Sequence, residues 1–218
     1  MKVILLIHGL KDSKATGLLR FRPYLEKEGW FVRPIFYGWF FLRGFVGALF
    51  NKPLARMLAC FVELLDSLGH EVICIAHSNG ATIAAMASQL GAPFKILFFV
   101  NGAVERDLKL GDKTGYLVNI RVPSDPILAI SRIISPLTPW SEIDGSMGNA
   151  GVKADSDPRM WDIDATAIFN IKGHGGFMSG EKIEQTGPWL VQVIKWFSFT
   201  ATSTSPPPTQ LTDEARSL

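Results

Sequence analysis

Hydrophobic and polar positions alternate along this chain in blocks rather than residue by residue. Short, continuous apolar runs recur between polar segments. Such runs are typical of strands that are buried on both faces of a parallel sheet. They predict strands at Val3–Ile7, Phe31–Phe36, Val72–Ala76, Phe94–Val100, Tyr116–Arg121 and Ala167–Ile171.

Between most of these strands, apolar residues repeat every three or four positions, as they do on one face of a helix. This spacing predicts helices at Gly17–Glu28, Pro53–Leu68, Asn79–Leu90 and Ile183–Phe197. Because strands and helices alternate, we predict an α/β fold with a mainly parallel central sheet and helices on both faces. The pattern is consistent with one domain over residues 1–199.

Three segments depart from the alternation. Tyr37–Phe50 is strongly apolar, but Arg43 and three glycines interrupt it, and it is too short for a membrane span. It fits a buried loop and helix, a cap over an apolar pocket, or an anchor on a membrane surface. Ser135–Arg159 is rich in Pro, Gly, Ser and Asp, which predicts a long loop lining a site. Residues 200–218 contain three consecutive prolines and predict a disordered tail.

The composition limits the classes of protein to which this chain can belong. A net charge of +2 over 218 residues, without a dense Lys/Arg block, argues against a nucleic-acid partner. Cys60 and Cys74 lie in apolar segments, so we expect buried free thiols, with no metal site and no cofactor. The apolar run Val3–Ile7 is shorter than the core of a signal peptide, and this predicts a cytoplasmic protein.

The segment Ile75–Ala85, IAHSNGATIAA, joins a predicted strand directly to a predicted helix. Ser78 lies at the junction, with Ala76 and Gly80 two positions to either side, a variant of the G-x-S-x-G turn that exposes a nucleophilic serine. The helix would direct its N-terminal amides toward that serine. Ser and Asn also cap ordinary helices, so a plain connecting turn remains the alternative.

A serine nucleophile needs a general base, normally a histidine that a carboxylate orients. His174 lies in the glycine-rich segment NIKGHGGF, which follows a predicted strand, and Asp125 follows the predicted strand Tyr116–Arg121. The order Ser78, Asp125, His174 is that of one known triad architecture. Asp107, beyond the strand Phe94–Val100, is the alternative acid.

Acyl transfer also requires main-chain N–H groups that face the developing oxyanion. The amide of Asn79, directly after the serine, is one candidate donor. The loop after His8 and Gly9 supplies the second, most simply through Leu10. We expect His8 to have a structural role rather than an acid–base role.

These motifs resemble the α/β-hydrolase superfamily, and small esterases and lipases in particular. The resemblance rests on IHGLKDS (7–13), AHSNG (76–80), SDPIL (124–128) and GHGGF (173–177). It implies that Ser78 is the nucleophile, His174 the base and Asp125 its orienter, with the amides of Leu10 and Asn79 as the oxyanion hole. One departure is Ala76, where the superfamily usually has glycine.

The resemblance implies an enzyme with a minimal cap domain or none, because the chain is short. We expect an ester substrate with an apolar acyl group, since Trp39, Phe40 and Phe41 would line the pocket together with His77. His77 itself is expected to point away from Ser78 across the turn. Two alternatives are a catalytically inactive binding protein of the same fold, and a lipase or thioesterase that residues 37–50 anchor to a membrane surface.

Overall fold

A six-stranded sheet forms the centre of the computed structural model, which describes residues 1–9, 16–36, 51–129, 146–153 and 157–199. The strand order is β2-β1-β3-β4-β5-β6, and every neighbouring pair is parallel. The strands are β1 (Lys2–Ile7), β2 (Phe31–Ile35), β3 (Glu71–His77), β4 (Phe94–Val100), β5 (Tyr116–Arg121) and β6 (Met160–Asp164).

Helices cover both faces of this sheet. They are α1 (Thr16–Leu19), α2 (Arg22–Lys27), α3 (Asn51–Ser67), α4 (Asn79–Gln89), α5 (Ser146–Ala150), α6 (Ala165–Phe169) and α7 (Ile183–Phe199), with a 3-10 turn at Gly176–Met178. Helices α1, α2, α6 and α7 pack on one face, while α3, α4 and α5 pack on the other. The predicted α/β fold with a parallel sheet and helices on both faces is therefore confirmed.

The strands contribute to two hydrophobic cores because successive side chains point to opposite faces. In β1, Ile4 and Leu6 face α1, α2, α6 and α7, whereas Leu5 and Ile7 face α3 and α4. All four side chains are fully buried. Burial on both sides explains why the strand sequences are continuously apolar.

The prediction of the last strand is wrong. Residues Ala167–Ile171 do not form a strand, because most of them belong to α6, and the sixth strand is Met160–Asp164. The Asp164 side chain accepts hydrogen bonds from two main-chain N–H groups in the first turn of α6, at 2.9 and 3.1 Å, which starts a helix there. Asn170 ends that helix in the left-handed conformation, with φ of 51°.

Two other elements differ from their predictions. The predicted helix Gly17–Glu28 is two short helices, α1 and α2, and Pro23 in the first turn of α2 favours a new helix start. The predicted loop Ser135–Arg159 contains helix α5 in its described part.

Of the two cysteines, only Cys74 is buried as predicted. It lies in β3, where burial raises the pKa of its thiol well above the usual range. Cys60 is exposed, which contradicts the prediction, because it lies on the outer side of α3. Both thiols are free.

Several predictions fall outside the described residues: the role of Leu10, the segment 37–50 with its three candidate pocket aromatics, and the tail 200–218. In the part of the chain that is described, no helix combines the length and the apolar character needed to cross a membrane. The cytoplasmic location stays a prediction.

The strand order reverses its direction at β1, between β2 and β3. From β1 the chain moves to one side to form β2 and then to the other side to form β3. In open α/β sheets, ligands bind at the carboxyl ends of the strands where this direction reverses. Gly9 follows β1 and Ser78 follows β3, so both lie at that position.

Candidate active site

Ser78 occupies a strained turn between β3 and α4. Its φ of 53° and ψ of −124° lie outside the regions favoured by non-glycine residues, at a cost of about 1–3 kcal/mol. The turn is held by main-chain hydrogen bonds: the Ser78 N–H donates to the Val100 oxygen at 3.2 Å, and its carbonyl accepts from Ala81 and Ala103 at 3.0 and 3.2 Å. The surrounding structure therefore fixes a conformation that Ser78 would not adopt alone.

Two glycines allow the chain to pass close to this turn. A Cβ at Gly9 would lie 2.9 Å from the Ser78 Cβ and 3.3 Å from its Oγ, so residue 9 faces the serine directly. A Cβ at Gly80 would lie 2.5 Å from the main-chain oxygen of Ile7. His8 Nδ1 lies 2.6 Å from the Gly9 oxygen, which fixes this segment of main chain. Side chains larger than hydrogen are excluded at both positions.

The structure brings Asp125 and His174 together. The Oδ2 atom of Asp125 lies 2.6 Å from His174 Nδ1, and the carboxylate is buried. Its other oxygen, Oδ1, accepts the main-chain N–H groups of Ile127 and Leu128 at 2.9 and 3.3 Å. These bonds orient the carboxylate toward the ring, and the contact fixes one ring nitrogen of His174 as a donor.

The alternative acid, Asp107, lies elsewhere. Its carboxylate is exposed and forms an ion pair with Lys153, with 2.8 Å between Oδ2 and Nζ. The hydrogen bond from Lys153 lowers the pKa of Asp107. Asp107 therefore has a surface partner, whereas Asp125 contacts the imidazole.

His77 does not point away from the site, contrary to the sequence prediction. Strand β3 extends through His77, so its side chain follows Ile73 and Ile75 onto the sheet face that α7 covers. There its ring centroid lies 4.6 Å from that of His174, and its Nε2 lies 3.1 Å from the His174 oxygen. Because His77 immediately precedes Ser78, this contact brings the serine turn and the His174 loop together.

Two buried asparagines at the site were missed by the sequence analysis. Asn101, directly after β4, donates through Nδ2 to the Asp125 Oδ2 at 3.0 Å and to the His174 oxygen at 2.9 Å. Asn51, the first residue of α3, exchanges two amide hydrogen bonds with Asn79, at 3.0 and 3.1 Å. The position of Asn101 at the end of a buried strand was a usable signal, but nothing in the sequence distinguished Asn51.

Among the described residues, no group of three or more His, Cys, Asp or Glu side chains is arranged to hold a metal ion. His8, His77 and His174 all lie near the carboxyl ends of the strands, but the contacts of His174 are with a carboxylate and with donors to its carbonyl. The described arrangement fits proton transfer by an oriented imidazole.

Solved structures with the same fold include hydrolases. The esterase domain of a Rhodothermus marinus protein matches with a TM-score of 0.52 and 12% identity, over 86% of this chain and 83% of that chain. A thioesterase from the prodiginine biosynthetic pathway of Streptomyces coelicolor matches with a TM-score of 0.50 and 13% identity, over 87% and 89%. No protein-family model and no curated protein matches the sequence. The chain has the α/β-hydrolase fold.

Proposed function

We propose that this protein is a serine hydrolase that cleaves carboxylic esters through an acyl-enzyme intermediate. The observation that supports this most strongly is the 2.6 Å contact between buried Asp125 and His174, at the sheet edge where Ser78 occupies its strained turn. A buried carboxylate, an oriented imidazole and a partly exposed serine in a turn are the parts that acyl transfer needs.

In the proposed reaction, Ser78 Oγ attacks the ester carbonyl carbon while His174 Nε2 takes the hydroxyl proton. The Asp125 carboxylate holds Nδ1 as the protonated ring nitrogen, which leaves the Nε2 lone pair for that proton. Collapse of the tetrahedral intermediate breaks the bond to the alcohol, and His174 returns the proton to the leaving oxygen. Water, activated by His174, then releases the acid and regenerates Ser78.

Two main-chain N–H groups are assigned as the donors that bind the oxyanion. The Asn79 N–H lies at the first turn of α4, where helix amides have no partner within the helix. The reciprocal amide pair with Asn51 holds Asn79 in place. The second donor is assigned to Leu10, since Gly9 already faces the serine.

An apolar acyl group is the proposed substrate feature. Trp39, Phe40 and Phe41 would contact it, with His77 at the base of the pocket. In support, Phe36 directly precedes this segment, exposes 55% of its surface, and has its ring 6.2 Å from that of His8. An exposed apolar side chain therefore lies beside the carboxyl end of β1, close to the serine turn. The same reaction would cleave a thioester, since only the leaving atom differs, which is sulfur instead of oxygen.

Hydrolysis of p-nitrophenyl esters with acyl chains from acetate to decanoate tests this proposal. We expect the wild type to prefer chains longer than acetate, and Ser78→Ala to lose about 10⁴-fold or more in kcat. Ser67→Ala is the matched control, because Ser67 is exposed at the end of α3 and its hydroxyl donates to the Leu64 oxygen within the same helix. Equal activity in Ser78→Ala and wild type would refute the assignment of Ser78 as the nucleophile. Folded wild type without esterase activity would favour the non-catalytic binding protein.

A further inference from the structure

Asn101 connects the two groups that hold His174. One hydrogen of its Nδ2 amide points to Asp125 Oδ2, 3.0 Å away, and the other to the main-chain oxygen of His174, 2.9 Å away. Both partners only accept hydrogen bonds, so the nitrogen of the amide, not its oxygen, must face them. A single NH₂ group therefore binds the loops that follow β5 and α6.

The backbone of Asn101 is adapted to this position. Its φ of 47° is left-handed, which asparagine and glycine tolerate better than other residues. Its main-chain N–H donates to the Ile120 oxygen at 3.0 Å, and its side chain is fully buried. The main chain of Asn101 is thus anchored on the end of β5, and its buried side-chain amide has no contact with solvent.

The His174 loop needs such an anchor. Gly173 and Gly175 flank the histidine, and a Cβ at either position would meet no atom within 4 Å. The two glycines therefore add no side-chain packing beside His174, so hydrogen bonds, together with the contact of its ring with His77, define the ring position. His77 Nε2 also lies 3.1 Å from the same carbonyl oxygen.

We propose that Asn101 is a positioning residue, which locks the main chain of His174 to the Asp125 carboxylate and so holds the imidazole where it can serve Ser78. The kinetic part of this inference rests on the proposed function, but the structural part does not. The residue touches neither substrate nor the reacting atoms in this scheme and acts only through His174 and Asp125.

Two variants separate the donor from the space it fills. Asn101→Gly suits the left-handed backbone and removes the amide, whereas Asn101→Asp keeps the size and shape and replaces the NH₂ by oxygen. We expect kcat to fall about 10- to 100-fold in Asn101→Gly, with little change in KM, because a small displacement of the base slows only the chemical step. Asn101→Asp should be at least as slow, because its oxygen faces two acceptors.

Asn170→Gly is the matched control. Asn170 is also left-handed, with φ of 51°, but it is exposed at the end of α6 and should leave kcat unchanged. Wild-type activity in Asn101→Asp would show that Asn101 only fills space and would overturn the proposal. So would equal kcat values in Asn101→Gly and Asn170→Gly, even though the hydrolase function would then still stand.

A measurement without substrate tests the lock independently of catalysis. Proton NMR should show a low-field His174 Nδ1 proton, identified by its loss in His174→Gln. We expect this proton to exchange with solvent about tenfold faster or more in Asn101→Gly, and at the wild-type rate in Asn170→Gly. If the wild type hydrolyses no ester but this difference is found, the proposed function fails and the positioning role stands; unchanged exchange overturns the positioning role.

Should neither Asn101 variant fold, the wild-type protein decides the question. Both Nδ2 protons of Asn101 should then be protected from exchange, whereas those of exposed Asn170 in the same spectrum should exchange freely. Equal exchange at the two side chains would overturn the proposal.

Discussion

The two hydrophobic faces of the sheet differ in their share of large aromatic side chains and of small alanines. Among the described residues, the face that α7 covers contains six buried aromatic side chains: Phe21, Phe98, Phe169, Phe177, Trp189 and Phe197. In the same described part of the chain, the face that α3 and α4 cover contains only two buried aromatic residues, Phe94 and Phe99, but eight buried alanines: Ala55, Ala59, Ala76, Ala81, Ala84, Ala85, Ala87 and Ala92. Large rings fill space between layers, whereas small residues let the layers approach.

This difference shows how the two sides of the candidate site are supported. On the alanine face, α4 lies close enough to β1 that Gly80 has no room for a Cβ beside Ile7, and this contact sets the Ser78 turn. On the aromatic face, Phe177 lies three residues after His174 and packs on Phe21 and Trp189, with ring centroids 5.6 and 5.9 Å away. Close main-chain contact supports the serine, and ring packing supports the loop of the histidine.

Among the residues that position His174, the largest effect is expected at Asp125, which holds the ring by a hydrogen bond rather than by packing. Asp125→Asn should lower kcat about 10⁴-fold, because the amide cannot hold the His174 ring in the required tautomer. Asp107→Asn should leave ester hydrolysis unchanged, since its partner is Lys153. Steady-state kinetics on both variants check this, and equal losses would contradict the assignment of the acid.

The aromatic face is tested by Phe177→Ala, with Phe94→Ala as the matched control. Both side chains are fully buried, so each truncation should lower the free energy of unfolding by about 3–5 kcal/mol in urea titrations. Phe94 lies at the start of β4, at the other end of the sheet, so kcat per folded molecule should fall only in Phe177→Ala. Equal kcat values would show that ring packing does not support the His174 loop.

The alanine face is tested by Gly80→Ala. The added methyl would collide with the Ile7 oxygen, so we expect a loss of about 1–3 kcal/mol in unfolding free energy and a lower kcat from the displaced Ser78 turn. Gly180→Ala should be close to neutral, because a Cβ there meets no atom within 4 Å. Wild-type stability and activity in Gly80→Ala would break the comparison between the two faces.

The sequence predicted the fold well where apolar runs were long. The strands Phe94–Val100 and Tyr116–Arg121 have the predicted bounds, because burial on both faces leaves an uninterrupted apolar signal. The signal failed at Ala167–Ile171, where a short apolar run belongs mostly to a helix that Asp164 caps. Runs of about five residues do not by themselves distinguish a strand from a short helix.

The candidate site was predictable only in part, for a related reason. Ser78, Asp125 and His174 could be proposed because each residue type has a known chemical use and the order along the chain is informative. Asn101 has no such signature, since its role depends on two acceptors 24 and 73 residues away in sequence. Long-range hydrogen bonds of this kind are defined by the packed sheet and not by any local pattern.

The most direct test of the central claim is covalent labelling with a fluorophosphonate, followed by intact-mass and peptide analysis. We predict one adduct per folded molecule, located on Ser78, and no adduct in Ser78→Ala. Folded wild-type protein that stays unlabelled, or an adduct located on another residue, would contradict the claim that Ser78 is an activated nucleophile.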